Sequence, residues 1–156
     1  MNDVLRRQIE EAAGSDNRIH LDLRWLSDHD VEVMLKASDL TVFPYQNILT
    51  SGAVILGMSY GRACLGPRLG CLPDVISDDG GFLYSINEPG ELELALRRAF
   101  AERATLSDKG KVNMTRARSW GWDKVASMTF DQYLGALGQK RIELGEPMKF
   151  LTEDPS

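Results

Sequence analysis

A Thr-Ser-Gly-Ala tetrapeptide, Thr50 to Ala53, stands where a loop turns into an apolar helix. Ser51 is a favourable N-cap, and the amides of Gly52 and Ala53 would then point out of the first helical turn. Free amides at a helix N-terminus suit a phosphate, because the N–H groups and the helix dipole both favour an anion. The same residues also fit a purely structural role, in which Ser51 caps a core helix and Gly52 allows close packing.

Two other loops carry polar side chains that could meet a ligand. Tyr45 and Asn47 follow an apolar run that ends at Pro44, and the loop GCLPD contains Gly70 and Asp74. Asp74 could accept hydrogen bonds from a sugar or could cap the next turn. Tyr45 could touch a ligand or pack on its own loop. The residue types alone leave both pairs of alternatives open.

The sequence does not identify a nucleophile, a catalytic triad or a metal site. His20 and His29 lack a nearby Ser, Cys or carboxylate set of the kind that forms a triad or a metal cluster. Cys64 and Cys71 are interpreted as reduced thiols. Neither GxGxxG nor a P-loop motif occurs. The catalytic residues therefore stay unknown, and neither a metal nor a cofactor is predicted.

The candidate loops must be held by the elements between them. Four apolar segments have the composition of strands, and the segment GAVILGMSY (residues 52–60) is apolar enough to be a buried helix. The predicted strands are RIHLDLRWL (18–26), LTVFPY (40–45), RACLG (62–66) and GFLYS (81–85). Strands that alternate with helices indicate an α/β fold, a Rossmann-like parallel sheet flanked by helices. Ligands of such sheets bind beyond the carboxyl ends of the strands, where the candidate loops lie.

Length and charge set the broad class. The 156 residues have a net charge of -5, and 43% are hydrophobic. The order of apolar and polar segments predicts a domain over residues 1–138 and a polar tail over 139–156. The negative charge argues against nucleic acid as a partner. The sequence predicts no membrane span, and the N-terminus lacks a signal peptide, so we expect a cytoplasmic protein.

The order of these segments resembles a known family. The stretch ASDLTVFPYQNILTSGAVILGMSYGRACLGPRLGCLPDVISDDGGFLY is similar to the C-terminal, nucleotide-sugar-binding domain of GT-B glycosyltransferases of family 4. The likeness runs over roughly residues 3–138. It implies a nucleotide-diphosphate sugar as the donor substrate, and it does not imply dependence on a metal. The donor-binding residues that it implies are Ser51, Gly52 and Ala53 and the loop from Gly70 to Asp74. With Tyr45, Asn47 and Thr50 of the preceding loop, they complete the predicted donor-binding set.

Two features depart from that family. If Gly61 sets the register, the family's paired glutamates fall at Ile48 and Leu56, which cannot hydrogen-bond a sugar. The four predicted strands also leave no residues for the family's first two strands, so the sheet is an incomplete GT-B C-terminal domain. We therefore expect a fragment, a split subunit or a degenerate copy that needs an N-terminal domain or partner subunit. Alone, it is expected to be inactive.

The resemblance implies part of a retaining glycosyltransferase of polysaccharide biosynthesis. Such an enzyme transfers a sugar from a nucleotide-diphosphate sugar to a glycan or lipid-linked acceptor. One alternative is a non-catalytic binding or assembly subunit with the same fold, and another is a nucleotide-sugar epimerase of related fold. Because strand edges seek partners, a homodimer is also predicted.

Overall fold

The structure is a computed structural model that describes residues 3–14 and 16–136. Clustering of its contacts divides the chain into two units, Met1–Ala37 and Ser38–Ser156. The predicted tail over residues 139–156, and with it the predicted domain end at residue 138, lies outside the described residues.

The first unit contains two helices, α1 (Asp3–Gly14) and α2 (Asp28–Ala37). The start of α2 follows directly from its sequence, because Ser27 and Asp30 form a reciprocal capping box. The Asp30 amide donates to Ser27 Oγ at 3.2 Å, and the Ser27 amide donates to Asp30 Oδ2 at 3.1 Å.

The strand predicted over residues 18–26 is wrong. In the described part of the chain this segment forms no strand, and three of its four alternating apolar side chains stay exposed, Trp25 to 94%. Alternating apolar and polar residues indicate that one face of a segment is apolar. A strand also needs a neighbouring strand whose backbone groups pair with its own. Here the backbone instead makes turns, such as the hydrogen bond from the Ile19 amide to the Asp16 carbonyl.

The second unit contains the sheet. Three strands, β1 (Leu40–Val42), β2 (Ala63–Pro67) and β3 (Gly81–Tyr84), run parallel in the spatial order β1-β2-β3. The predicted α/β class and parallel sheet are therefore confirmed, with three strands in place of about four. Every residue of the central strand β2 is buried, as expected when helices cover both faces of a parallel sheet.

Helices supply the two layers that bury the sheet. Beyond the sheet the unit contains α3 (Gly52–Ser59), α4 (Leu72–Val75), α5 (Glu91–Ala101), α6 (Leu106–Ser119) and α7 (Trp122–Ala136). One core cluster joins Leu65 and Phe82 to α5, and the other joins Cys64 to Val54 and Met58 of α3. Because side chains alternate along a strand, neighbouring β2 residues enter opposite cores. No described helix is long and apolar enough to cross a membrane.

Candidate ligand site at the carboxyl edge of the sheet

The start of α3 is built as the sequence predicts. Ser51 has an extended backbone (φ -140°, ψ 110°), and its Oγ accepts a hydrogen bond from the Val54 amide at 3.2 Å. This cap satisfies one of the orphan N–H groups of the first turn. The amides of Gly52 and Ala53 have no acceptor within the helix, by the geometry of any helix start. Both residues are exposed, so an anion can reach this turn.

Tyr45 supports the cap from the side. Its hydroxyl shares a 2.9 Å hydrogen bond with Ser51 Oγ, and its ring stacks on Phe43 with 6.0 Å between centroids. The ring also packs against the core cluster that contains Val54 and Met58. Sequence reasoning considered packing and ligand contact as alternatives for Tyr45. The structure shows that Tyr45 packs on Phe43 and hydrogen-bonds Ser51, and its contact with a ligand stays a prediction.

The loops that follow β1 and β2 touch each other. Gly70 has φ +51°, and a Cβ there would lie 2.4 Å from the Leu49 carbonyl oxygen. The amide of Cys71 donates to the same carbonyl at 2.8 Å. Glycine is required at residue 70 for both reasons, because the backbone is left-handed and another backbone passes close by. This contact brings the two predicted loops together.

The other predicted site residues lie in the same loops. Asn47 and Thr50 are exposed between β1 and α3, and Asp74 is exposed in α4. The amide of Asp74 donates to the Cys71 carbonyl at 3.1 Å, as in a helix start. Tyr45 and Ser51 are thus in direct contact. Asn47, Thr50 and Asp74 lie exposed in the same loops.

A cleft of about 270 Å³ extends the site toward β3. Its lining comes from the loops after β1 and β3 and from the first turn of α5: Pro44, Tyr45, Gln46, Tyr84, Ser85, Ile86, Glu88, Gly90, Glu91 and Leu92. Sequence reasoning assigned no role to Gln46, Tyr84, Ser85, Glu88 or Glu91. The signal was present, since residues 85–90 also follow a parallel strand at its carboxyl end.

The polar groups of the site can form hydrogen bonds that orient a ligand. Burial raises the pKa of Tyr84, so its phenol stays protonated at neutral pH and can donate. Within residues 3–14 and 16–136, no group of three or more His, Cys, Asp or Glu residues could hold a metal ion. Amides at a helix N-terminus, a phenol and two glutamates can bind a polar, anionic ligand that carries hydroxyl groups.

The fold and this edge define a Rossmann-like α/β domain of the kind that binds ligands beyond its strands. No family model matches the chain. A GDP-mannose:glycolipid 4-beta-D-mannosyltransferase from Xanthomonas campestris pv. campestris is 25% identical over 138 residues, which are 86% of this chain and 38% of that protein. A D-inositol 3-phosphate glycosyltransferase from Streptomyces griseus subsp. griseus is 32% identical over 108 residues, 68% of this chain and 23% of that protein.

Solved structures share the fold. Sucrose-phosphate synthase from Thermosynechococcus elongatus superposes with a TM-score of 0.69 at 21% identity, over 86% of this chain and 35% of that one. The catalytic domain of starch synthase IV from Arabidopsis thaliana, bound to ADP and acarbose, gives 0.63 at 20% identity, over 86% and 29%.

These similarities confirm the predicted resemblance. The curated relatives are glycosyltransferases, and the structural neighbours are GT-B enzymes. By family resemblance, therefore, this chain is glycosyltransferase-like. It spans 38% of the mannosyltransferase and 23% of the inositol phosphate glycosyltransferase, so it corresponds to a part of each.

Proposed function

We propose that the chain forms the donor-binding part of a glycosyltransferase and holds the diphosphate of a nucleotide-diphosphate sugar at the start of α3. The capped first turn of α3 carries the proposal, because it presents two amides at the ligand edge of the sheet. Two similar proteins support this donor class, since one relative is named for GDP-mannose and one solved structure holds ADP.

The chemical role proposed for the start of α3 is electrostatic stabilisation of the diphosphate. Negative charge grows on the diphosphate as the glycosidic bond to the sugar breaks, and preorganised amides stabilise that charge in the transition state. In transfer with retention to a glycan or lipid-linked acceptor, the acceptor oxygen would bond to the anomeric carbon on the face that the diphosphate leaves, so the protein would orient the two substrates and stabilise the departing diphosphate. Both details rest on the resemblance, and the acceptor type agrees with the glycolipid in the name of the Xanthomonas relative. That name also specifies a beta linkage. The anomeric configuration of the product, formed by this chain together with an N-terminal domain or partner subunit, should be compared with that of the donor by NMR, and inversion would refute retention.

The residues around α3 predict how the donor is bound. Ile48 packs into the core cluster beside Val54, and Leu56 is 41% exposed on α3. Neither side chain can pair with a hydroxyl group of the sugar or ribose. Most of the affinity should therefore come from the diphosphate, and GDP, UDP and ADP should bind with similar strength.

Calorimetry with a matched pair of variants tests the site. Gly52→Pro removes one amide donor at the first helical position, where proline is tolerated. The extended backbone of Ser51 is close to the conformation that a following proline requires. Gly52→Ala keeps the amide, and among the described residues no heavy atom lies within 4 Å of the added Cβ. The two variants should fold equally well.

We expect Gly52→Ala to bind GDP like the unchanged chain and Gly52→Pro to bind it about 10- to 150-fold more weakly. This range corresponds to about 1.5–3 kcal/mol for a hydrogen bond to a charged group. Equal affinity of both folded variants would place the diphosphate elsewhere.

A second candidate function is an assembly subunit. An apolar groove of about 620 Å³ favours it, and its lining residues are Ile55, Val75, Trp120, Trp122, Lys124, Val125 and Met128. Trp122 is 87% exposed there. If the chain self-associates, light scattering after size exclusion should give a mass above 17.4 kDa. Association through this groove without binding of any nucleoside diphosphate would favour the assembly role over the donor site.

A further inference from the structure

The hydroxyl group of Tyr84 has no hydrogen-bond partner among the described residues, although the side chain is nearly buried. Tyr84 ends β3 and is only 7% exposed, because its ring packs in the core cluster that contains Leu65 and Phe82. Burial alone raises the pKa of this hydroxyl, with no hydrogen bond contributing. A buried tyrosine hydroxyl usually has a partner. The cleft of about 270 Å³ that Tyr84 lines is the place where a ligand could supply one.

Two carboxylates line the same cleft. Glu88 is exposed in the loop after β3, and Glu91 is half-buried at the first position of α5. In the described part of the chain neither carboxylate is paired with a cation, and none of the described lining residues is Lys or Arg. The cleft therefore combines a hydrogen-bond donor without a partner with two negatively charged acceptors.

The cleft has room for a small ligand. Its volume lies just below the roughly 300–1,000 Å³ of pockets that take drug-sized compounds. The loop that forms one side is turned by a 3.3 Å hydrogen bond from the Asn87 amide to Ser85 Oγ. Gly90 also lines the cleft, and a Cβ built on it would meet no heavy atom of the described residues within 4 Å. The space suits a compound of about the size of one sugar ring.

The polar groups select the class of ligand. An anion would be repelled by Glu88 and Glu91. A cation would pair with the carboxylates but would offer no acceptor to the O–H of Tyr84. Neutral hydroxyl groups satisfy both requirements, because a hydroxyl can donate to a carboxylate and accept from a phenol.

We propose that this cleft binds the hydroxyl groups of one neutral sugar residue, with Tyr84 as a donor and Glu88 and Glu91 as acceptors. The choice of a sugar among neutral hydroxyl compounds rests on the proposed function, whereas the preference for neutral hydroxyl groups does not. The cleft is then a subsite separate from the amides of α3. Its sugar belongs either to the nucleotide-diphosphate donor or to an acceptor glycan, since both present the same hydroxyl chemistry.

NMR titration of the full chain with methyl glycosides of glucose, galactose and mannose tests the proposal. For compounds of this size we expect a Kd of about 1–10 mM for at least one of the three. Tyr84→Phe keeps the ring and removes only the hydroxyl, so it should weaken binding about 2- to 12-fold. Tyr133→Phe makes the same change at an exposed position of α7 and should have no effect. Equal affinity of the two variants, or no saturable binding of any glycoside up to about 100 mM, would overturn the inference.

A change of ligand charge tests the two carboxylates. The methyl uronide of the best-binding sugar carries a carboxylate in place of the CH₂OH group, so Glu88 and Glu91 should make it bind more weakly than the neutral glycoside. The double variant Glu88→Gln, Glu91→Gln should narrow this difference. An unchanged preference in the folded double variant would contradict the proposed role of the carboxylates. This pair of measurements also decides the matter if Tyr84→Phe does not fold.

The nucleotide sugar of the best-binding hexose (UDP-glucose, UDP-galactose or GDP-mannose) identifies the source of the sugar. If the cleft holds the donor's sugar, the nucleotide sugar should displace the methyl glycoside, and Tyr84→Phe should weaken the nucleotide sugar but not the free nucleoside diphosphate. If the cleft holds an acceptor sugar, the methyl glycoside and the nucleotide sugar should bind together.

Gly52→Pro separates this inference from the proposed function. The variant should bind methyl glycosides like the unchanged chain, whatever its affinity for a nucleoside diphosphate. A failed diphosphate site would therefore leave the evidence for the cleft intact. Loss of glycoside binding in folded Gly52→Pro would show that the cleft is not a separate subsite.

Discussion

A close contact between α6 and the turn that follows α3 predicts that substitution of Gly110 destabilises the second unit. Gly61 ends α3 with φ +69°, and a Cβ on Gly110 of α6 would lie 2.0 Å from the Gly61 carbonyl oxygen and 2.8 Å from its carbonyl carbon. The methyl group that Gly110→Ala adds would therefore overlap the backbone carbonyl group of Gly61. Since neither atom belongs to a flexible side chain, α6 or the end of α3 must move.

The size of the effect follows from two opposing contributions. Carbon–oxygen contacts normally begin at about 3.3 Å, so the helices must separate locally by roughly 1 Å. Overpacking of this kind costs about 3 kcal/mol, the upper end of its usual range, and alanine returns about 1 kcal/mol through its better helix propensity. We expect the free energy of unfolding to fall by about 2 kcal/mol. In a domain of this size that lowers Tm by about 4–8 °C.

The matched control is Gly135→Ala in α7. This substitution has the same intrinsic propensity, and no heavy atom of the described residues lies within 4 Å of the added Cβ. Urea unfolding followed by circular dichroism at 222 nm measures both variants. Gly135→Ala should leave the free energy of unfolding unchanged or raise it by up to about 1 kcal/mol. If Gly110→Ala matches this control within about 0.5 kcal/mol, the close packing of α6 on α3 is refuted.

Three other outcomes are expected. Burial raises the pKa of Cys64 to about 11, so Ellman's reagent at pH 8 should label only the half-buried Cys71 in the folded chain and both thiols in denaturant; equal native rates would contradict the burial. Ser51→Ala should cost about 0.5–2 kcal/mol of stability, and a double-mutant cycle with Tyr45→Phe should show coupling through their shared bond; additive effects would exclude it. Arg24 and then Ser27 hold the pKa of Asp30 well below its usual range, so the cap of α2 should add stability above about pH 3.9 and lose it as the pH falls below that value; an NMR midpoint at or above 3.8 for the Asp30 carboxyl would refute this.

The local elements of the second unit could be read from the sequence. The predicted strands at 40–45, 62–66 and 81–85 overlap β1, β2 and β3, and the apolar helix at 52–60 is α3. These assignments succeeded because a strand buried on both faces needs a continuous apolar run, and a short run with turn residues on either side has few other solutions. Caps are equally local, since Ser51 bonds an amide three residues away.

Tertiary structure decided what depends on neighbours. Apolar and polar residues alternate over residues 18–26 as they do in a strand. Among the described residues no strand pairs with this segment, so it does not form a strand. The packing of Gly70 on Leu49 and the cleft that reaches from Tyr45 to Glu88 join residues of different loops, which meet only when parallel strands align their carboxyl ends. The sequence alone determined which residues could bind an anion and which end of the sheet carries them. Their mutual contacts were set by strand order and register, because these long-range pairings leave no trace in local periodicity.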